Sequence, residues 1–250
     1  MRFRDMVVMV TGAAGGIGAA ITRGFAAEGA TVYACGHREE GCRALCDAIR
    51  GAGGEARPLL LDVAEERSWI DAMQRVEAER SRLDVLVNNA GINIRAPLEE
   101  YPTEAFDRMM AVNVRGVFLG MKHAVPLMRR GGGGSIVNLS SIAGVIGHRY
   151  TPIPYIAAKG AVTMMTKGVA VQYAPHNIRV NSVHPSTVET ALVAELLRDP
   201  EKRAQRLGEI PLGRLATVED VTRATLFLAS RDAAFITGVS LPVDGGLTAS

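Results

Sequence analysis

The sequence predicts an α/β fold: a three-layer, doubly wound sheet of about seven mostly parallel strands with helices on both faces. Three observations lead there. Short apolar, β-branched runs alternate with longer amphipathic stretches along all 250 residues. The first run leads straight into a glycine-rich turn, TGAAGGIG, followed by a helical pattern. The composition, 48% hydrophobic with 22% charged residues, provides ample material for one large core. Strand, helix, strand in repetition means right-handed crossovers and a parallel sheet buried on both sides.

The expected strands are MVVMV (6–10), TVYAC (31–35), RPLLL (57–61), DVLVN (84–88), SIVNL (135–139), IRVNSV (178–183) and VSLPV (239–243). Amphipathic stretches such as IGAAITRGFAAEG and EERSWIDAMQRVEAE lie between them. The glycines 131–134 form a loop before a strand, not a linker. No composition shift or repeat divides the chain, so residues 1–250 are expected to form one domain. Residues 190–213 fall outside the alternation. Such an insertion near the strand carboxyl ends of an open sheet is a natural lid over a ligand.

Several function classes are disfavoured. The net charge is +2, basic residues are scattered and aromatics make up 5%, so neither a nucleic-acid surface nor a membrane patch is expected. The apolar run in MRFRDMVVMVTG is too short for a membrane span and lacks a signal-peptide cleavage pattern; a buried first strand explains it. Cys35, Cys42 and Cys46 lie close together with His37, but C-x-x-C spacing and a second His are missing, so no metal site is expected. An odd cysteine count points to a reducing cytoplasm.

Two features carry chemistry. In the turn, Gly12, Gly15, Gly16, Ile17 and Gly18 join the first strand to the first helix. Small residues there let a phosphate reach the free N–H groups and positive end of the helix dipole. The turn lacks the Lys-Ser/Thr of an ATP-binding loop, so a Rossmann-type dinucleotide site is expected. At the end of the second strand, Gly36 stands where an acid would bind an adenine ribose hydroxyl, and His37 and Arg38 follow. Arginine suits a 2′-phosphate, which favours NADP(H). Gly15 offers no side chain to assist, and Glu39 and Glu40 dilute the charge, so NAD(H) stays open. The second feature is Tyr155 followed by Lys159, one turn apart on a helix. A cation beside a phenol lowers its pKa and fits it to exchange a proton with an alcohol oxygen.

The sequence resembles the short-chain dehydrogenase/reductase family over nearly its whole length. The matching segments are TGAAGGIG (11–18), LDV (61–63), NNAG (88–91), NVRG around Asn113, SIVNLSS (135–141), YIAAK (155–159), IRVNSVHP (178–185), PLGRLATVEDVTRATLFLAS (211–230) and ITGVSLPVDGG (236–246). The resemblance implies an oxidoreductase exchanging hydride between a nicotinamide cofactor and a ketone or secondary alcohol on a small molecule. Tyr155 would be the general acid/base. Lys159 would lower its pKa and hold the nicotinamide ribose. Asn113 would hold a water linking Lys159 to solvent. Ser141, chosen over Ser140, would orient the substrate oxygen; it precedes Tyr155 by one residue more than the family's usual spacing. Asp62 and Val63 would meet the adenine, and Asn89, Ala90 and Gly91 would line the cofactor's path. Pro185, Ser186, Val188 and Thr190 would border the nicotinamide, with Ser186 standing where the family usually has glycine. A homotetramer is implied, with the C-terminal VSLPVDGGLTAS packed between subunits.

Ile94, Arg95, His148, Arg149, Tyr150, Leu192, Leu196 and Leu197 are the expected substrate lining. This mixed set suits a cyclic or sugar-like body, and His148 and Arg149 are candidates to hold an anionic group. An NAD-dependent secondary-alcohol, sugar or steroid dehydrogenase is the alternative. A non-catalytic dinucleotide sensor would be marked by loss of the serine, tyrosine or lysine, and all are present.

Overall fold

The computed structural model describes residues 1–190, 193, 194 and 198–249. Its strands are β1 (Val7–Thr11), β2 (Thr31–Gly36), β3 (Glu55–Leu60), β4 (Val85–Asn88), β5 (Gly134–Leu139), β6 (Ile178–Pro185) and β7 (Ser240–Val243). The helices are α1 (Gly16–Ala27), α2 (Glu39–Gly51), α3 (Glu66–Arg80), α4 (Thr103–Met110), α5 (Gly116–Arg130), α6 (Ile153–Tyr173), α7 (Pro200–Gly208) and α8 (Val218–Ala229). A π-helical turn, Ala111–Arg115, joins α4 to α5.

One seven-stranded sheet runs β3-β2-β1-β4-β5-β6-β7. Every pairing is parallel, where the sequence predicted a mostly parallel sheet. All seven expected strands appear, with ends shifted by two residues or fewer. Successive strand side chains point to opposite faces. Val8 and Val10 therefore enter the core beneath α1, α2 and α8, while Val7 and Met9 enter the core beneath α3, α5 and α6. The alternation explains why β1 is buried at every position and apolar from Val7 to Val10: both of its faces are covered. Pro58 in β3 and Pro242 in β7 fall within the two edge strands, where a missing N–H breaks no central ladder, and Pro185 is the last residue of β6.

The strand order reverses between β1 and β4, and the crevice at their carboxyl ends is where such sheets bind ligands. Within 190–213, α7 is held at its start by Asp199, whose carboxylate accepts from the N–H groups of Glu201 and Lys202. Leu192, Leu196 and Leu197 lie outside the described residues. The three cysteines are buried and unpaired. Among the described residues, no helix is long and apolar enough to cross a membrane.

Candidate active site

The cleft begins where β1 ends. Gly12 has φ +65°, and a side chain on it would put Cβ 2.8 Å from Ala90 Cα. Gly18 lets α1 press on the strand end; a Cβ there would lie 2.2 Å from the Gly12 carbonyl oxygen. No side chain caps α1 and its first turn holds no acid, so its leading N–H groups and dipole can receive an anion. Thr11 Oγ1 accepts from the N–H of Asn89 and of Ala90, each at 3.0 Å. Asn89 Nδ2 donates to the carbonyl oxygens of Thr11 and Gly12 at 2.9 and 3.2 Å. The ends of β1 and β4 are thus tied into one rim. Gly12, Gly15, Gly16, Ile17, Gly18, Asn89, Ala90, Gly91, Tyr155, Lys159, Pro185 and Thr190 line a single cavity of about 320 Å³.

Tyr155 and Lys159 lie one turn apart near the start of α6. Lys159 Nζ sits 5.5 Å from the Tyr155 ring centroid. It donates to the Leu139 carbonyl oxygen at 2.7 Å, leaving two further N–H donors. The two neighbouring serines face different ways. Ser140 Oγ lies 3.0 Å from the Lys159 carbonyl oxygen and 3.2 Å from Thr163 Oγ1, bound to α6. Ser141 shares a cavity wall with Tyr155, whose ionised form it favours, and its Oγ accepts from the Ala143 N–H at 3.2 Å. Buried Asn113, in the π-helical turn, grips Ile92 twice: Oδ1 accepts from its N–H and Nδ2 donates to its carbonyl, both at 2.8 Å. This fixes Gly91 beside Asn113 and Lys159.

The electrostatics depart from expectation. Burial pushes Tyr155 up to about 12 and Lys159 down to about 8. The lowered phenol pKa expected from the lysine is therefore not found in the chain itself. Desolvation opposes the charged form of each group, and it outweighs the attraction. The cation that does favour tyrosinate is Arg95, across the cavity.

A second cavity of about 150 Å³ adjoins the first. Ile17, Ser140, Tyr155, Pro185 and Thr190 belong to both walls. Ser141, Ser186, Val188, Arg95 and His148 also line it. Ser186 keeps a negative φ, so the side chain in place of glycine brings no left-handed strain.

Comparison with known proteins places this arrangement. A family model described as Enoyl-(Acyl carrier protein) reductase matches residues 12–248. The chain is 45% identical to a cyclopentanol dehydrogenase of Comamonas sp. (strain NCIMB 9872), covering 100% of this chain and 99% of the relative. It is also 45% identical to a cis-4-hydroxycyclohexanecarboxylate dehydrogenase of Sinomonas cyclohexanicum, covering 99% and 98%. The chain belongs to the short-chain dehydrogenase/reductase family. It is an oxidoreductase acting on CH–OH groups. A gluconate 5-dehydrogenase from Burkholderia cenocepacia J2315, solved in complex with NADP and tartrate, shares 36% identity and a TM-score of 0.95, covering 100% of this chain and 98% of that one.

Not every expected residue of this short-chain dehydrogenase/reductase lies at the cleft. His37 and Arg38 are exposed beyond the end of β2, outside both cavities. Asp62 Oδ1 accepts from the Ala64 N–H at 2.9 Å, in the turn leading to α3. The Val63 side chain is buried in the core. Ile94, Arg149 and Tyr150 are not in either wall. Three residues escaped sequence reasoning. His184 donates from Nδ1 to the Ser141 carbonyl at 2.8 Å, and its Nε2 accepts from Ser182 Oγ at 2.8 Å. Burial lowers its pKa, so a neutral imidazole holds the Ser141 backbone. Asn93 and Arg206 line the second cavity. Asn93 lies two residues beyond the NNAG segment, which could have flagged it, whereas nothing local flags Arg206.

Proposed function

We propose that this protein transfers hydride between NADP(H) and a ketone or secondary alcohol on a small molecule, through Ser141, Tyr155 and Lys159 with support from Asn113. The observation that carries the reading is the junction of the two cavities at Tyr155, one walled by the glycine turn and the other by Ser141. The elongated, glycine-walled cleft at an uncapped helix start fits a dinucleotide. When bound, the nicotinamide gives or takes the hydride. The first turn of α1 holds the pyrophosphate. Lys159 uses its free N–H donors on the nicotinamide ribose and on a relay water. Tyr155 gives its phenolic proton to the carbonyl oxygen in reduction and takes the alcohol proton in oxidation, while Ser141 Oγ hydrogen-bonds that oxygen. Asn113 keeps Gly91 and Ile92 in place against Lys159.

The preference for NADP(H) rests on Arg38, which makes no ion pair among the described residues and stands free for a 2′-phosphate. Gly36 adds to it. A Cβ there would lie 2.8 Å from Cys42 Sγ, so packing disfavours the acid that would select NAD(H). Steady-state rates on secondary alcohols with each cofactor test this. The expected result is at least about tenfold higher kcat/KM with NADP+, a preference that Arg38→Ala removes. Equal use of NAD+ would leave the NAD-dependent alternative standing.

The same reading makes residues 1–250 one cofactor-binding and catalytic domain, with 190–213 as its lid. It has the chain work in the cytoplasm as a homotetramer on a small molecule, with neither nucleic acid nor membrane as partner. The buried free thiols and the apolar residues exposed on α5 and α6 support this.

A further inference from the structure

Seven buried side-chain polar atoms lack a hydrogen-bond partner among the described residues. Three of them, Asn93 Oδ1, Ser186 Oγ and Arg206 Nη1, belong to residues that line one cavity, the second one described above. A buried polar atom without a partner is costly, and three around one space mark a place where a ligand supplies the missing bonds. Arg206 is the informative member, because an arginine only 6% exposed is rare unless paired.

Its surroundings hold the guanidinium in place without saturating it. The plane lies over the Tyr150 ring, 4.4 Å from the centroid, and Nη2 reaches the Tyr150 carbonyl at 3.4 Å. Glu209 Oε2 lies 3.5 Å from Nη1, a long ion pair, and the same carboxylate oxygen is 3.3 Å from His148 Nε2. A second guanidinium, Arg95, lines the cavity and donates Nη1 to that same Tyr150 carbonyl at 3.0 Å. Among the described residues no aspartate or glutamate lines the cavity, and there two arginines face one carboxylate set behind them. The balance is positive, and the unused donor belongs to a planar fork whose best acceptor is a carboxylate.

We propose that the substrate is a small hydroxy- or keto-carboxylate, whose carboxylate Arg206 and Arg95 receive while its carbinol or carbonyl carbon faces Ser141 and Tyr155. Ser141 and Tyr155 stand in the same wall. A volume of about 150 Å³ suits one six-membered ring between the two ends. The inference rests on the dehydrogenase reading above, and it makes Arg206 and Arg95 substrate-binding residues.

The test compares 4-hydroxycyclohexanecarboxylate with cyclohexanol on the unaltered protein with its cofactor. The expected result is a kcat/KM about 10- to 100-fold higher for the carboxylate. Arg206→Met should cost the carboxylate at least about tenfold more than it costs cyclohexanol. Equal rates on both alcohols, or an equal loss on both in the variant, would overturn the proposal. Arg206 is buried and its variant could fail to fold, so Arg95→Met and a calorimetric comparison of cyclohexanecarboxylate with cyclohexanecarboxamide provide second readouts. Tighter binding of the carboxylate is expected, and equal binding contradicts the proposal. Turnover of cyclohexanol without a carboxylate preference would refute this inference alone. Carboxylate binding with no hydride transfer to or from any alcohol would refute the dehydrogenase reading and leave the anion site standing.

Discussion

Tyr155 and Lys159 meet in a setting dry enough to reverse the simplest expectation about them. A lysine at one helical turn should help a phenol ionise, yet burial holds Tyr155 near 12 and lowers Lys159 to about 8. In the reading proposed here, the protonated phenol is ready as an acid across the whole physiological range, and the lysine is the group that titrates. The sign follows directly. Below about pH 8 Lys159 is a cation and Tyr155 a proton donor, so ketone reduction runs at full rate. As pH rises through about 8 the lysine charge is lost while the phenol keeps its proton, so kcat/KM should fall up to about tenfold per unit. A reduction profile that stays flat to pH 10 would contradict that role for Lys159. Residue identity told which groups to watch, but their ionisation depends on how deeply α6 is buried, and spacing carries no such information. The choice between Ser140 and Ser141 is similar: both stand in SIVNLSS, and only the fold shows one hydroxyl turned into α6 and the other toward Tyr155.

At the level of elements, the strands were readable because burial on both faces demands unbroken apolar runs, and such runs are visible in one sequence. Pro58 and Pro242 each fall on an edge strand of the sheet, a placement the strand order reveals. The π-helical turn at 111–115 was not readable. It is an extra residue within an otherwise regular helical pattern, and its cause is long-range: Asn113 faces Ile92 across the cleft. Helices α5 and α6 carry a further message. Met164 and Val171, seven positions apart on one face of α6, are 64% and 78% exposed, and Phe118 on α5 is 49% exposed. On the proposed homotetramer these faces meet copies of themselves. Val171→Glu should then lower the sedimenting mass from four chains toward two or one, because a buried unpaired carboxylate opposes association. A monomeric unaltered protein at micromolar concentration would rule the tetramer out.

Across the whole molecule, one sheet brings distant segments to a single crevice. The glycine turn after β1, the rim after β4, Ser141 after β5 and Pro185 at the end of β6 all arrive at strand carboxyl ends. That convergence made the reaction class legible, since each segment carries a local signature. The substrate end was far less legible. Arg206 reaches the cavity from α7, and its i,i+3 neighbour Glu209 gives it the look of an ordinary helix ion pair, so only the assembled fold reveals it. The central claim is that Tyr155 exchanges a proton with the reacting oxygen as hydride moves at the junction of the two cavities. The direct measurement is single-turnover reduction of a ketone by NADPH with Tyr155→Phe, which removes one hydroxyl and leaves the ring in place. The account predicts a rate lower by about 100- to 10,000-fold, with cofactor affinity retained. A variant that turns over at the unaltered rate would contradict it.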